Sequence, residues 1–173
     1  MRRFGSDKPD LRFEMELVDL SDELRNTDFA PFRSALDAKG EVKAIVAKGK
    51  AGYSRKQLDE LQEFAKRYGA GALAWIKVGE QETTSSLLKA LGEPKIAQLA
   101  RKAVAEKGDA VLIVGGRRSV VAAALGALRL EIARREDLIP RNVFKPLMVV
   151  DFPLFEYNDA EHHYDAAHHP FTS

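Results

Sequence analysis

The sequence predicts an α+β fold, a two-layer β-β-α-β-(αα)-β-α unit whose mainly antiparallel four-stranded sheet is covered by helices on one face. Two extended stretches joined by a turn that ends in Gly40 are typical of a β-hairpin. A capped amphipathic helix follows, and strand and helix patterns then alternate to residue 135. A doubly wound parallel sheet is the alternative. A strand–Gly–Gly–helix segment favours it, whereas the opening hairpin disfavours it.

The first part of the chain reads as extended structure, a short helix and then the hairpin. Residues 11–20 are predicted to be extended. A short helix is predicted to start at Ser21, a residue type that caps helices, with two acidic residues in its first turn. The hairpin strands are predicted at 29–36 and 41–47.

The clearest helix is predicted at 53–68. Ser54 and Gln57 form an S-x-x-Q capping box, and Gly69 supplies the stop. Four apolar residues recur at helical spacing and predict one buried stripe: Leu58, Leu61, Ala65 and Tyr68. This helix is expected to pack that stripe against the sheet.

Three strands and three helical pieces are predicted from residue 72 onward. A strand that contains Trp75 is predicted at 72–78, and a polar loop follows at 79–84. Two helical pieces, separated near Pro94, are predicted at 85–91 and 94–106. A central apolar strand is predicted at 109–114. The last helix is predicted at 117–135, with an apolar face of Val121, Leu125, Leu128 and Ile132. Its three arginines toward the C-terminal end would complement the helix dipole. A linker punctuated by two prolines then leads to a final strand at 147–152.

Charge is balanced overall but unevenly placed. The chain has 27 basic and 26 acidic residues, a formal charge of +1, which gives no bulk attraction to nucleic acid or anionic membrane. Residues 95–135 nevertheless carry nine Lys or Arg against three acids, whereas 151–173 carry five acids and no Lys or Arg. The sequence therefore predicts a basic flank and an acidic end.

Composition also bears on the compartment. There is no cysteine, which suits a reducing environment. The first ten residues lack the apolar core of a signal peptide, and the longest apolar-rich run, 119–133, is interrupted by Arg129 and Glu131. We expect a soluble, cytoplasmic protein without a membrane span.

The segment V-L-I-V-G-G-R-R-S allows two interpretations. A glycine-rich turn from strand to helix can point backbone N–H groups at a phosphate. Gly115 and Gly116 lack the spacing of a dinucleotide fingerprint or a P-loop, so a plain tight connection is the more usual reason for them. Arg117 and Arg118 are candidates for positioning contacts with an RNA backbone.

The C-terminal acidic hairpin holds all the histidines, and imidazole is a common metal ligand. Neighbouring residues on a strand point to opposite faces, so each His pair can offer one side chain to a given ion. Solvent exposure of His162 and His163 is the simpler interpretation, and we predict no metal site. In the pair His168 and His169, followed by Pro170, one imidazole could face a polar cavity, or both could lie in a surface turn.

Several long segments, in one order from end to end of the chain, resemble the bacterial-type aspartyl-tRNA synthetase family. These are R-R-F-G-S-D-K-P-D-L-R-F at 2–13, S-R-K-Q-L-D-E-L-Q-E-F-A-K-R-Y-G at 54–69, A-L-A-W-I-K-V at 72–78, G-A-L-R-L at 126–130, V-V-D-F-P-L-F-E-Y at 149–157 and A-A-H-H-P-F-T at 166–172. The resemblance implies that 21–140 is an insertion domain shared with a subunit of tRNA-dependent amidotransferases. It implies that 1–20 and 141–173 are flanking parts, including strands, of a class II catalytic domain. Met1 coincides with an internal Met-Arg-Arg stretch of the family, so we expect a segment of a longer enzyme.

The resemblance also implies chemistry for that longer enzyme, a homodimer that uses ATP and magnesium to form aspartyl-adenylate and then aminoacylates tRNA(Asp). Catalysis of this kind rests on charge stabilisation and positioning. By the same resemblance His168 contacts the bound aspartate and His169 is its partner in the loop, whereas Asp7 and Lys8 belong to a family signature without an assigned role. Whether asparagine tRNA is also charged stays open.

The family's arginine-bearing ATP-binding motifs have no counterpart in this chain. We therefore expect the isolated chain to be inactive, with no catalytic residue and no cofactor of its own, and its role to be accessory. A free-standing tRNA-binding module related to the amidotransferase domain is the alternative. A complete small enzyme built on the histidine–acid hairpin is the weakest interpretation, since no nucleophile with a supporting base can be named from the spacing.

Overall fold

A computed structural model describes residues 1–151, 153–158 and 161–167. Its helices and strands, in chain order, are β1 (Val18–Asp19), α1 (Ala30–Asp37), β2 (Glu41–Ala47), α2 (Arg55–Lys66), β3 (Ala74–Val78), β4 (Thr83–Ser85), α3 (Leu88–Lys102), β5 (Ala110–Gly116), α4 (Arg118–Arg135), β6 (Phe155–Asn158) and β7 (His163–Ala166). Strands β1 to β5 form one sheet, and β6 and β7 form a separate hairpin.

The main sheet has the order β1-β2-β5-β3-β4, and every neighbouring pair is antiparallel. Strand β5 is central, as its uninterrupted apolar sequence predicted, and it pairs with β2 from Glu41↔Gly116 to Ala47↔Ala110. The α+β class and the antiparallel sheet are thus confirmed. The sheet has five strands rather than the predicted four. Three of the predicted strands are present as β2, β3 and β5, the fourth is a helix, and the short edge strands Val18–Asp19 and Thr83–Ser85 were not among the four. Residues 83–84 fell in the predicted polar loop and Ser85 in the predicted helix that follows it.

Helices cover both faces of the sheet, so the prediction of a single covered face is wrong. Alternate residues of β5 face opposite cores, as strand geometry requires. Leu112 and Val114 pack in a core with side chains of α2 and α4. Val111 and Ile113 pack in a second core with side chains of α1 and α3. The continuous apolar sequence of β5 reflects burial on both sides.

The predicted strand at 29–36 is wrong, because Ala30–Asp37 is the helix α1. Pro31 lies in its first turn, where the missing N–H leaves no intrahelical bond unmade. Phe32 is buried, meets Phe29 edge to face at 4.9 Å, and packs beside Gly115. A short apolar run does not separate helix from strand by period alone. The opening hairpin is therefore absent, although the strand at 41–47 is confirmed.

Residues 21–26 form turns instead of the predicted short helix. The Ser21 hydroxyl accepts a hydrogen bond from the Val42 backbone N–H at 3.0 Å, and the Asp19 carboxylate accepts one from the Ser21 N–H at 2.8 Å. Ser21 therefore ties the incoming chain to β2 instead of capping a helix. Of the extended stretch predicted at 11–20, only Val18–Asp19 is a strand.

The capping box of α2 is confirmed. The Ser54 hydroxyl accepts from the Gln57 N–H at 3.2 Å, and the Gln57 side chain accepts from the Ser54 N–H at 2.9 Å. Leu58, Leu61 and Ala65 are buried as predicted. Tyr68 is 42% exposed, so it lies beyond the buried stripe.

Replacing Ser54 by Ala is expected to lower the free energy of unfolding by about 1 kcal/mol, because the first turn of α2 loses its side-chain acceptor. Urea denaturation measures the change. Ser119→Ala is the matched control, since Ser119 lies in the first turn of α4, is exposed, and makes no side-chain hydrogen bond with any described residue. Equal losses in the two variants would contradict the role of the capping box.

The two helical pieces predicted after β4 are joined into α3 across a kink. Gly92 at the kink has a φ of 73°, and Pro94 follows it, as expected for the first turn of the second piece. The ends differ from the prediction, because the helix runs from Leu88 to Lys102.

Helix α4 is confirmed, and its predicted apolar face is buried at Val121, Leu125, Leu128 and Ile132. In the described part of the chain, helices lack the combination of length and apolar character needed to cross a membrane.

The strand predicted at 147–152 is wrong over its described part, because residues 147–150 form no strand and are exposed; residue 152 lies outside the described residues. Exposed apolar side chains follow α4, among them Phe144, Met148 and Val150. The apolar sequence that suggested a strand therefore pairs with none of the described residues. The acidic hairpin is confirmed as β6 and β7, paired from Phe155↔Ala166 to Asn158↔His163.

Candidate functional site

The predicted arginine pair lies at the start of α4. Arg117 and Arg118 are both exposed, and neither forms an ion pair or a side-chain hydrogen bond with another described residue. They extend from the end of the sheet where β5 stops. Both are therefore available to a partner.

The first of the two glycines before this pair has a steric explanation. Gly115 and Gly116 are the last residues of β5 and pair with Val42 and Glu41. A Cβ at Gly115 would lie 2.7 Å from the ring of Phe32, so a side chain there would displace α1. This geometry supports the plain connection over a phosphate-binding loop.

The basic flank predicted at 95–135 does not form one surface. Helices α3 and α4 lie on opposite faces of the sheet, which divides these charges. On α3, Lys95 donates to the Glu23 carbonyl at 2.8 Å and Lys102 forms an ion pair with Glu23 at 3.1 Å. The net charge of residues 95–135 therefore overstated the positive charge present on any one surface.

The predicted aspartate-binding pair, His168 and His169, lies outside the described residues. In the adjacent hairpin His162 and His163 are exposed, so their predicted exposure to solvent is confirmed. The Asp165 carboxylate lies 2.8 Å from Nε2 of His163. Within residues 1–151, 153–158 and 161–167, no three His, Cys, Asp or Glu side chains are placed to hold a metal ion.

The most highly organised polar site is centred on Arg129, which sequence reasoning placed among arginines that complement the dipole of α4. That role is wrong for Arg129, since it is only 1% exposed and points to the N-terminal segment. Its Nε donates to the Met15 carbonyl at 3.1 Å. Its Nη2 lies within hydrogen-bonding distance of three more carbonyls: Asp10 at 2.6 Å, Phe13 at 3.2 Å and Glu14 at 3.4 Å.

Two aromatic rings and a nearby carboxylate complete the Arg129 site. The guanidinium carbon lies 4.1 Å from the ring centre of Phe13 and 4.9 Å from that of Phe4. Burial lowers the pKa of Arg129, while the negative charge of Asp10 opposes that shift. Hydrogen bonds from Arg12 in turn lower the pKa of the Asp10 carboxyl. A buried cation is thus held by carbonyl dipoles and π faces.

The same segment approaches α4 at backbone distance. Gly5 has a φ of +67°, and a Cβ there would lie 2.3 Å from the Ala122 carbonyl oxygen. A Cβ at Gly126 would lie 2.7 Å from the Gly5 carbonyl oxygen. Phe13, Met15 and Leu17 are buried in the core beneath α4. Residues 1–17 therefore pack against the domain that follows them.

Sequence could have indicated the Arg129 site. Arg129 lies four residues after Leu125 and three before Ile132, so it falls on the predicted apolar face of α4. A charge on a buried helix face requires a partner. The position of that partner, more than 110 residues earlier in the chain, carries no local signal.

A cleft of about 810 Å³ lies between α2 and α4. Four acidic and four basic residues line it together with Phe64. Arg135 pairs with Glu131 at 2.7 Å and with Glu60 at 3.3 Å, and Arg55 pairs with Asp59 at 3.1 Å. Its balanced charge gives the cleft no preference for an anionic ligand.

The incoming and outgoing parts of the chain lie side by side. Residues 9–12 and 143–145 line one small pocket of about 190 Å³. The chain thus enters the domain and leaves it at neighbouring places, a geometry that suits insertion into another domain.

Comparison with known proteins gives one family and a set of larger relatives. Residues 32–125 match the family model described as GAD domain. The chain is 52% identical over 174 aligned positions to the aspartate–tRNA(Asp/Asn) ligase of Symbiobacterium thermophilum, and 50% identical over 173 to that of Caldanaerobacter subterraneus subsp. tengcongensis. It is 46% identical over 173 positions to the aspartate–tRNA ligase of Clostridium botulinum. Each alignment covers 100% of this chain but 29% of the relative.

Proposed function

Because this chain belongs to the GAD domain family, we propose that it is the GAD-domain segment of an aspartate–tRNA ligase, an accessory insert with its two flanks. The observation that carries the proposal is identity of about half the residues along the whole chain to ligases of which it spans 29%. The neighbouring positions of residues 9–12 and 143–145 support insertion into a larger domain.

In the proposed ligase, aspartate and ATP react to form aspartyl-adenylate and pyrophosphate. The aspartyl group then passes to the terminal ribose of tRNA(Asp), and AMP is released. The arginine-bearing ATP-binding motifs implied by the resemblance have no counterpart in this chain, which spans 29% of the ligases it matches. The proposal therefore assigns ATP and magnesium to other parts of the ligase. Dimer formation and action in the cytoplasm belong to the same proposal.

This segment has two assigned points of contact with substrates. His168 is proposed to contact aspartate, with His169 as its partner in the loop. Arg117 and Arg118 are proposed to contact the tRNA backbone, an assignment supported by their exposure and lack of ion pairs within the described structure.

The accessory role is supported by the way the insert is held. Arg129 joins α4 to four carbonyls of residues 10–15, so the N-terminal flank and the insert form one packed body. The insert therefore has a fixed position relative to the N-terminal flank. The insert's contribution to the ligase would be structural support together with contact to tRNA.

The isolated chain is expected to show no aspartate-dependent ATP–pyrophosphate exchange, because it lacks the arginine-bearing motifs that would neutralise the charge of the triphosphate. The assay is run beside the protein expressed from the complete coding sequence, which should exchange and should charge an aspartate tRNA transcript. Exchange by the isolated chain above background would overturn the accessory role. Failure of the complete protein to charge aspartate tRNA would overturn the ligase assignment.

A free-standing tRNA-binding module is the second candidate function, favoured by the same unpaired arginines. A coding sequence that ends near residue 173, with salt-dependent tRNA binding by the chain, would favour it over a ligase segment.

A further inference from the structure

We infer that one end of the sheet is a binding surface for RNA phosphates, formed by four cations from three parts of the fold. These cations, called the basic end below, are Lys39, Arg67, Arg117 and Arg118. The inference rests on the proposed function, since a ligase segment would meet tRNA, and it extends the contact from one arginine pair to a surface.

Contacts between glycine-containing turns bring the three parts together. The turn after α1 packs against the end of β5, where a Cβ at Gly40 would lie 2.3 Å from the Gly116 carbonyl oxygen. The turn after α2 packs against the first turn of α4, where a Cβ at Gly69 would lie 3.5 Å from the Val120 side chain. Lys39 precedes Gly40, Arg67 precedes Gly69 by two residues, and the arginine pair follows Gly116.

The four side chains of the basic end are solvent-exposed, and none of them forms an ion pair or side-chain hydrogen bond with a described residue. Arg67 lies where the basic end meets the cleft between α2 and α4. Its guanidinium carbon is 5.9 Å from the Phe64 ring centre, and it forms no ion pair with the described acids that line that cleft.

Neighbouring acids do not neutralise these cations. Glu63 is bound to Lys66 at 2.7 Å, and Glu41 is bound to Lys43 at 3.2 Å. Asp37, exposed at the end of α1, is the remaining acid on these turns. The basic end therefore carries a local excess of positive charge.

The other end of the same two helices differs. There Arg135 binds Glu131 and Glu60, and Arg55 binds Asp59. Glu136 at the end of α4 binds Lys50 and accepts a hydrogen bond from the Tyr53 hydroxyl at 3.0 Å. Most charges at that end are thus in ion pairs, whereas the cations of the basic end have none with a described residue.

Phosphodiester groups fit the basic end better than base edges do. Arginine can bind a phosphate through two N–H groups, and lysine adds a point charge. Contacts of this kind position an RNA without reading its sequence. An aspartate tRNA and an unrelated tRNA are therefore expected to bind the basic end equally well.

The test compares two double variants of this chain. Arg117→Gln/Arg118→Gln removes two charges from the basic end. Lys56→Gln/Arg134→Gln is the matched control, because both of these cations are exposed and have no ion pair among the described residues, but lie at the opposite end of α2 and α4. Fluorescence anisotropy with an aspartate tRNA transcript and an unrelated tRNA transcript gives Kd as a function of salt.

At about 100 mM salt, Arg117→Gln/Arg118→Gln is expected to bind both transcripts roughly tenfold more weakly, with the slope of log K against log salt reduced by about 2. The control should stay within about twofold, since it removes the same charge without removing phosphate contacts. Denaturation curves confirm that both variants are folded.

Equal weakening by the two double variants would overturn the inference, since the attraction would then be general charge. Absence of RNA binding by the unsubstituted chain would also overturn it, as would displacement of the RNA by an acidic polypeptide at equal charge concentration. Each of these outcomes leaves the ligase assignment standing, because that assignment is tested by aminoacylation with the complete protein.

Discussion

Replacing Arg129 by Met is expected to lower the free energy of unfolding by about 4 kcal/mol, because the change leaves buried carbonyl groups without their donor. Methionine retains much of the apolar volume, so the loss reports chiefly on hydrogen bonds and on the contacts with the rings of Phe4 and Phe13. Urea denaturation followed by circular dichroism measures it.

Arg134→Met is the control for the Arg129 variant, since Arg134 is exposed on the same helix, and its effect should stay within about 0.5 kcal/mol. Arg129→Lys should recover only part of the stability, because an ammonium group cannot reproduce the geometry of a guanidinium fork. A loss below about 1 kcal/mol in Arg129→Met would show that water satisfies the carbonyls instead.

Hydrogen exchange locates the effect of the same Arg129→Met variant. Faster exchange is expected in residues 10–17, whose path is held by Arg129, and only later in β5, which lies at the centre of the sheet. Uniform acceleration across the chain would mean that the flank and the domain unfold together.

Replacing Gly126 by Ala is expected to destabilise the protein by about 2 kcal/mol, although alanine favours an isolated helix by about 1 kcal/mol. The added methyl group would lie 2.7 Å from the Gly5 carbonyl oxygen and 3.1 Å from that of Phe4, which are backbone atoms. The N-terminal segment must therefore move away from α4, and its contacts with Arg129 weaken.

Gly71→Ala is the control for the Gly126 variant, because a Cβ at Gly71 has open space around it and its φ is ordinary. That variant should be neutral or stabilised by about 0.5 kcal/mol through a smaller entropy of the unfolded chain. Stabilisation by Gly126→Ala would contradict the close approach of the two backbone segments.

Local patterns in the sequence predicted elements whose signals are complete within a few residues. The capping box at Ser54, the buried stripe of α2 and the apolar face of α4 are set by spacing and by side-chain chemistry that act within one helix. The central position of β5 followed from its unbroken apolar run. These predictions needed no knowledge of distant residues.

Predictions failed where a distant contact decides the conformation. Phe29 to Leu36 has an apolar pattern that suits either a strand or a helix, and packing of Phe32 beside Gly115 accompanies the helix. Ser21 resembles a cap but bonds to Val42 in β2. Thr83–Ser85 is polar because it is a short edge strand with no buried side chain.

The candidate site divides in the same way. Arg117 and Arg118 could be selected from sequence because a pair of arginines after two glycines at a helix start is exposed by its position. The addition of Lys39 and Arg67 to that surface required the contacts of Gly40 and Gly69. The histidine pair predicted to contact aspartate stays a prediction.

By itself the sequence determined the α+β class, the capped helix α2, the buried face of α4 and the resemblance to aspartyl-tRNA synthetases, because propensity, period and motif are local properties. Only the tertiary structure decided that helices cover both faces of the sheet, that Arg129 binds residues 10–15, and that cations of three turns meet at one end. Those features depend on which segments lie side by side, and contacts between segments far apart in the sequence leave no local signal.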